Sequence, residues 1–109
     1  MKKVSRVDEL AKALKRAKKE AMKYIDSEDG GTCNFDSATV RLYRWKEADV
    51  KKACEVAGVN CYKFEGRYYR PWHIGYTSGQ GNRRSRMAEA FSDSLKASGY
   101  DSGMWYAAD

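Results

Sequence analysis

The stretch Val59–Tyr76, VNCYKFEGRYYRPWHIGY, constrains this chain most. Apolar and aromatic residues alternate with polar ones on both sides of Glu65-Gly66, a pattern that predicts a β-hairpin. Val59–Phe64 is the first strand, Glu65-Gly66 the tip and Arg67–Tyr76 the return. A chain of 109 residues has room for one domain, and its helices need a sheet to lie on. Pro71 cannot donate to a ladder, so the return strand is expected at an edge or interrupted there.

Around the hairpin the periodicity turns helical. Val7, Leu10, Leu14, Ala17, Ala21 and Ile25 recur at steps of three and four, predicting a helix from Ser5 to about Ile25 with Ser5 as N-cap. The glycine-closed loop 26–31 ends it. Thr32–Tyr43 reads as extended chain, with a turn or bulge at Asp36-Ser37. Val50, Ala53, Cys54 and Ala57 predict a second helix over Lys46–Ala57, closed by Gly58. A third helix is expected from about Arg83 to Ala97, capped by Asn82, and a last strand at Met104–Ala107. The result is an α+β fold in the order α-β-α-β-β-α-β, with three helices on a small mixed or antiparallel sheet.

Charge is distributed unevenly. Residues 1–25 hold nine Lys/Arg and three Asp/Glu, whereas the other 84 residues hold twelve of each. The whole +6 excess therefore lies in the first quarter of the chain. It points to an acidic partner, either nucleic acid or a protein surface, or to a well-solvated helix face. Lys12, Lys15, Arg16, Lys19 and Lys23 fall on the side of the first helix opposite its apolar stripe. The apolar runs are too short to span a bilayer. Charges stand where a signal peptide would be apolar, so a cytoplasmic protein and no membrane partner are expected.

Cys33, Cys54, Cys61 and His73 make up a Cys3His complement of the kind that holds structural zinc. Cys61 and His73 fall on adjacent strands of the hairpin. No CxxC or HxxxH knuckle is present, and Cys54 on an apolar stripe is equally explained as a buried thiol. A carboxylate such as Asp36 is a further candidate ligand. The loop 78–82 before Arg83, Arg84 and Arg86 has the composition of an anion site at a helix start, or simply of a cap with surface arginines. Tyr68, Tyr69 and Trp72 interleave with Arg67 and Arg70. That pattern suits stacking on bases or anchoring to a protein, although alternation must turn half of these rings inward. Gly-x-Ser-x-Gly and HExxH motifs are absent, no pair of carboxylates stands in a recognisable context, and a cysteine nucleophile paired with His73 is formally possible. No enzyme activity and no small-molecule substrate are expected.

Three stretches together carry a resemblance: Asp29-Gly30-Gly31-Thr32-Cys33-Asn34-Phe35-Asp36, then Gln80-Gly81-Asn82 with Ala88-Glu89-Ala90, then Gly99-Tyr100-Asp101-Ser102-Gly103. With the lysine-rich helix beginning at Val7-Asp8-Glu9-Leu10, the chain resembles small proteins encoded by phages and integrated elements of Gram-positive bacteria. Some small proteins of this kind are type II-A anti-CRISPR proteins directed at Cas9. The resemblance implies a non-enzymatic inhibitor of a bacterial defence protein, acting in the host cytoplasm by blocking DNA loading or a domain movement. A chain at +6 is a poor mimic of DNA, so contacts with an acidic or mixed protein surface, or with guide RNA, are expected. A small basic nucleic-acid-binding accessory protein is the alternative.

Overall fold

The computed structural model describes residues 5–26, 36–63, 72–77 and 81–106. Seven elements follow in the expected order: α1 Arg6–Met22, β1 Ser37–Arg41, α2 Glu47–Ala57, β2 Asn60–Lys63, β3 Trp72–Gly75, α3 Gly81–Ala97 and β4 Asp101–Trp105. The tip of the predicted hairpin lies outside the described residues, but its two strands pair as expected, Cys61 opposite Ile74 and Tyr62 opposite His73.

α1 begins where its N-cap predicts. Ser5 is extended, and its Oγ accepts from the Asp8 N–H at 3.1 Å. Leu10, Leu14, Ala17 and Ala21 are fully buried, with Val7 and Ile25 packed at the margins. The helix stops at Met22, short of the predicted Ile25. The N–H groups of Tyr24 and Ile25 bond three residues back, tightening the chain out of α geometry.

α2 and α3 end by the same device. Gly58 (φ 70°) and Gly99 (φ 91°) occupy the left-handed region. The next residue's N–H then reaches back over the last turn, Val59 to the Cys54 carbonyl at 3.1 Å and Tyr100 to the Leu95 carbonyl at 3.0 Å. α3 starts at Gly81, so Asn82 lies inside the helix and does not cap it.

The sheet is antiparallel with strand order β2-β3-β1-β4. β3 is therefore interior over its described residues, Trp72–Gly75. Pro71, where an edge or an interruption was expected, lies outside the described residues. Asp36 and Ser37 lead into β1 instead of turning. β4 begins three residues earlier than predicted, because Gly99 turns the chain directly from α3 into pairing with β1.

Alternation along the strands gives the sheet two faces. Ala38, Val40, Trp72 and Ile74 join the helices' apolar residues in one core, with Cys61 and Met104 packed against it. α1 lies between α2 and α3. Within the core Ser102 Oγ donates to the Thr39 carbonyl at 2.7 Å, and Ser92 Oγ sits 2.9 Å from Ser102 Oγ and 3.1 Å from the Gly103 carbonyl. These hydroxyls tie α3 to the β1–β4 pair, and among the described residues no buried side-chain polar atom is left unbonded.

Phe91, the largest fully buried side chain, should dominate stability. Phe91→Ala is expected to lower the unfolding free energy by about 3–5 kcal/mol through lost burial and a residual cavity. Urea denaturation checks this, and a loss below about 1 kcal/mol would contradict the packing described.

Candidate functional site

The sheet's two faces decide which of the predicted metal ligands can meet. Cys61 pairs with Ile74 and turns toward the helices, where its thiol lies beside that of Cys54 near the end of α2. Burial pushes the Cys54 thiol far up, and the adjacent Cys61 adds to the effect, so Cys54 stays protonated. Both are free thiols. His73 is one residue out of phase with Ile74 and points through the opposite face. Cys61 and His73 are neighbours in register but turn to opposite faces of the sheet. Cys33 lies outside the described residues. Among the described residues no three His, Cys, Asp or Glu side chains are grouped to hold a metal ion. The described part of the Cys3His set thus does not fit a single zinc site.

His73 instead centres a row of side chains across the outer face. Its Nδ1 is hydrogen-bonded to Ser37 Oγ at 2.6 Å. The Tyr62 ring stacks on it at 4.9 Å, and Trp105 meets it edge-on at 5.3 Å. His73 is buried, while Tyr62 and Trp105 remain partly exposed. Burial lowers the imidazole's affinity for a proton. The same two-faced geometry turns His73 away from Cys54 and Cys61.

At the start of α3 the chain supplies its own acid. Asp36 is buried, its Oδ2 accepts from Ser85 Oγ at 2.7 Å, and its carbonyl accepts from Arg84 Nε at 3.0 Å. Arg84 is thereby committed to holding the entry to β1. Arg83 is partly buried, and only Arg86 of the predicted trio is exposed. Asp36 is thus a structural partner of α3, remote in role from the thiols. Residues 78–80 lie outside the described residues.

Trp72 is 3% exposed and belongs to the core, so it is not the surface anchor expected from its neighbours. Its position in β3, opposite Val40, turns it toward the helices. Tyr68 and Tyr69 lie outside the described residues.

The basic face of α1 matches its prediction in part. Lys12, Lys15, Arg16, Lys19 and Lys23 are all exposed along one stripe. Lys23 pairs with Glu20 at 2.8 Å, and Arg16 Nη2 donates to Ser98 Oγ at 3.3 Å. Among the described residues no carboxylate lies within ion-pair distance of Lys12, Lys15 or Lys19. Two further cations of α1 turn to the protein. Lys18 Nζ donates to the Gly58 carbonyl at 3.0 Å and sits 4.7 Å from the Tyr76 ring centre, and Arg6 lies over the Trp45 ring at 3.9 Å. Beside the stripe, Glu9, Lys12, Arg16, Ser98 and Tyr100 line an open cleft of about 230 Å³. Ser98 and Tyr100 were not legible as site residues, since only the packing of α3 against α1 brings them there.

Compared with protein-family models, curated proteins and solved structures, the chain matches none. No helix among the described residues is long and apolar enough to cross a membrane.

Two solution measurements follow from the sheet's faces. His73 has a lowered proton affinity when folded, so the unfolded chain binds more protons below its ordinary value of 6.5. Folding stability should therefore fall as the pH drops below that value. Urea midpoints against pH should show a shallower decline for His73→Gln, and an identical profile would exclude His73 as the source. In the folded protein a thiol reagent should modify Cys61 before Cys54, which should react only on unfolding. Peptide mapping that found both labelled at one rate would contradict the burial difference.

Proposed function

We propose that this chain is a non-catalytic, phage-type inhibitor that binds a bacterial defence protein through the outer face of α1. Cas9 is the target that the resemblance names. The observation that carries the reading is the row Lys12, Lys15 and Lys19, exposed and without an internal carboxylate partner among the described residues. A helix whose apolar side is buried between α2 and α3 gains no fold stability from these three cations. They set a strong local field toward an acidic surface. Inhibition is then steric: a small rigid domain seated on an acidic surface blocks DNA loading or a domain movement.

A second reading, a small nucleic-acid-binding accessory protein, draws on the outer sheet face. Tyr62 and Trp105 flank His73 there with part of each ring exposed, as a surface that stacks bases would. Salt separates the two. Phosphate binding weakens steeply as counterions are restored, whereas a protein interface with an apolar centre weakens less.

The direct test is a Lys12→Glu, Lys15→Glu, Lys19→Glu variant, checked for folding by circular dichroism and assayed for capture of Cas9 and inhibition of DNA cleavage. Loss of capture by more than about tenfold is expected when three steering charges are reversed. Unchanged inhibition would remove α1 from the interface.

A further inference from the structure

Sequence spacing puts Glu9, Lys12 and Arg16 on one flank of α1, at steps of three and four. Packing of α3 against that helix then brings up the turn after α3, so that Ser98 and Tyr100 form the far wall of a cleft. Four donor groups converge on this space: an ammonium, a guanidinium, a phenol and a serine hydroxyl. Arg16 is held in place by its bond to Ser98 Oγ at 3.3 Å. Lys12 has no carboxylate within ion-pair distance among the described residues, although Glu9 shares the cleft. Tyr100 is half-buried. Burial first, and the nearby Glu9 second, raise its phenol above the ordinary value against the pull of Arg16 and Arg6, so it keeps its proton and can donate.

We infer that this cleft receives a single acidic side chain, a glutamate or aspartate of a protein partner. The inference rests on the reading of α1 as the docking face and names what that face grips. Size supports it. At about 230 Å³ the cleft falls below the roughly 300–1,000 Å³ of small-molecule pockets, and it suits one side chain better than a nucleotide. Charge supports it too. Two cations and Glu9 leave a net of one positive charge, which a single carboxylate balances, while a phosphate group would set more charge against Glu9. A guanidinium beside an ammonium offers both carboxylate oxygens a charged donor, and Tyr100 and Ser98 can satisfy remaining lone pairs. Lys15 and Lys19 continue the basic stripe along the helix, so an acidic segment anchored in the cleft would run on over them.

The test is anisotropy titration of fluorescein-labelled hexaglutamate with the full chain, with unlabelled oligothymidylate as competitor. Arg16→Met and Lys12→Met keep the aliphatic stems and remove the charges. Each should weaken peptide binding by about tenfold, the loss expected for one charge-assisted hydrogen bond. Tyr100→Phe, which keeps the ring and the packing, should weaken it by a few-fold, and Lys15→Met by less than Arg16→Met. Equal losses for Lys15→Met and Arg16→Met, with none for Tyr100→Phe, would overturn the cleft while leaving the basic-face reading intact. So would absence of hexaglutamate binding alongside preserved, α1-dependent capture of Cas9. Displacement of the peptide by oligothymidylate at lower concentration, with the same dependence on Arg16, would assign the cleft to phosphate and overturn the carboxylate.

Discussion

The pairing of β1 with a strand on each side sets the rest of this molecule. β1 joins β3, reached through α2 and β2, to β4, which is the last element described. Its alternating residues divide the sheet into a face that helices cover and a face that they do not. Ala38 and Val40 turn inward into the core that the helices share, with α3 packed directly on β1. Ser37 and Thr39 turn outward, where Ser37 holds His73. The Ser92–Ser102 hydroxyl pair adds a directional lock, because apolar contacts alone would let α3 slide along β1 and β4.

The same division keeps the described thiols apart from the imidazole. Two thiols lie on the helix side and the imidazole on the other, separated by the backbone of the sheet. A shift of one residue in the β2–β3 register would unite Cys61 and His73 on one face. With β3 held by β1, it would also turn Cys61 out of the core and the Tyr62 hydroxyl into it, and burial of apolar surface opposes that. What the surface does offer is charge on α1, which needs no precise register to act.

Much of the fold was legible because its signals are local. The 3.6-residue stripe of α1, the Ser5 cap and the glycines at 58 and 99 each report on a few neighbouring residues, and the structure places all of them as their chemistry requires. β4 was misplaced because Asp-Ser-Gly-Met-Trp carries almost no alternation. Its strand character comes from β1, a partner some sixty residues away. Trp72 and His73 illustrate a further limit: adjacent residues of similar composition face opposite ways, and only the register says which. The cleft at Tyr100 was invisible for the same reason, since it exists only where α3 meets α1. The basic stripe, by contrast, could be read directly, because one helix carries all of it.

Lys18 sets a boundary on how this protein can diversify. Its ammonium fastens the end of α2 at the Gly58 carbonyl and lies over Tyr76, while Lys15 and Lys19, on either side of it in sequence, are exposed. One helix therefore carries a cation that the fold uses beside cations that face outward. Exchange of Lys12, Lys15 or Lys19 would repack none of the described residues beneath them. Lys18 cannot join that exchange, and it stands as a fixed point amid charges that are free to change.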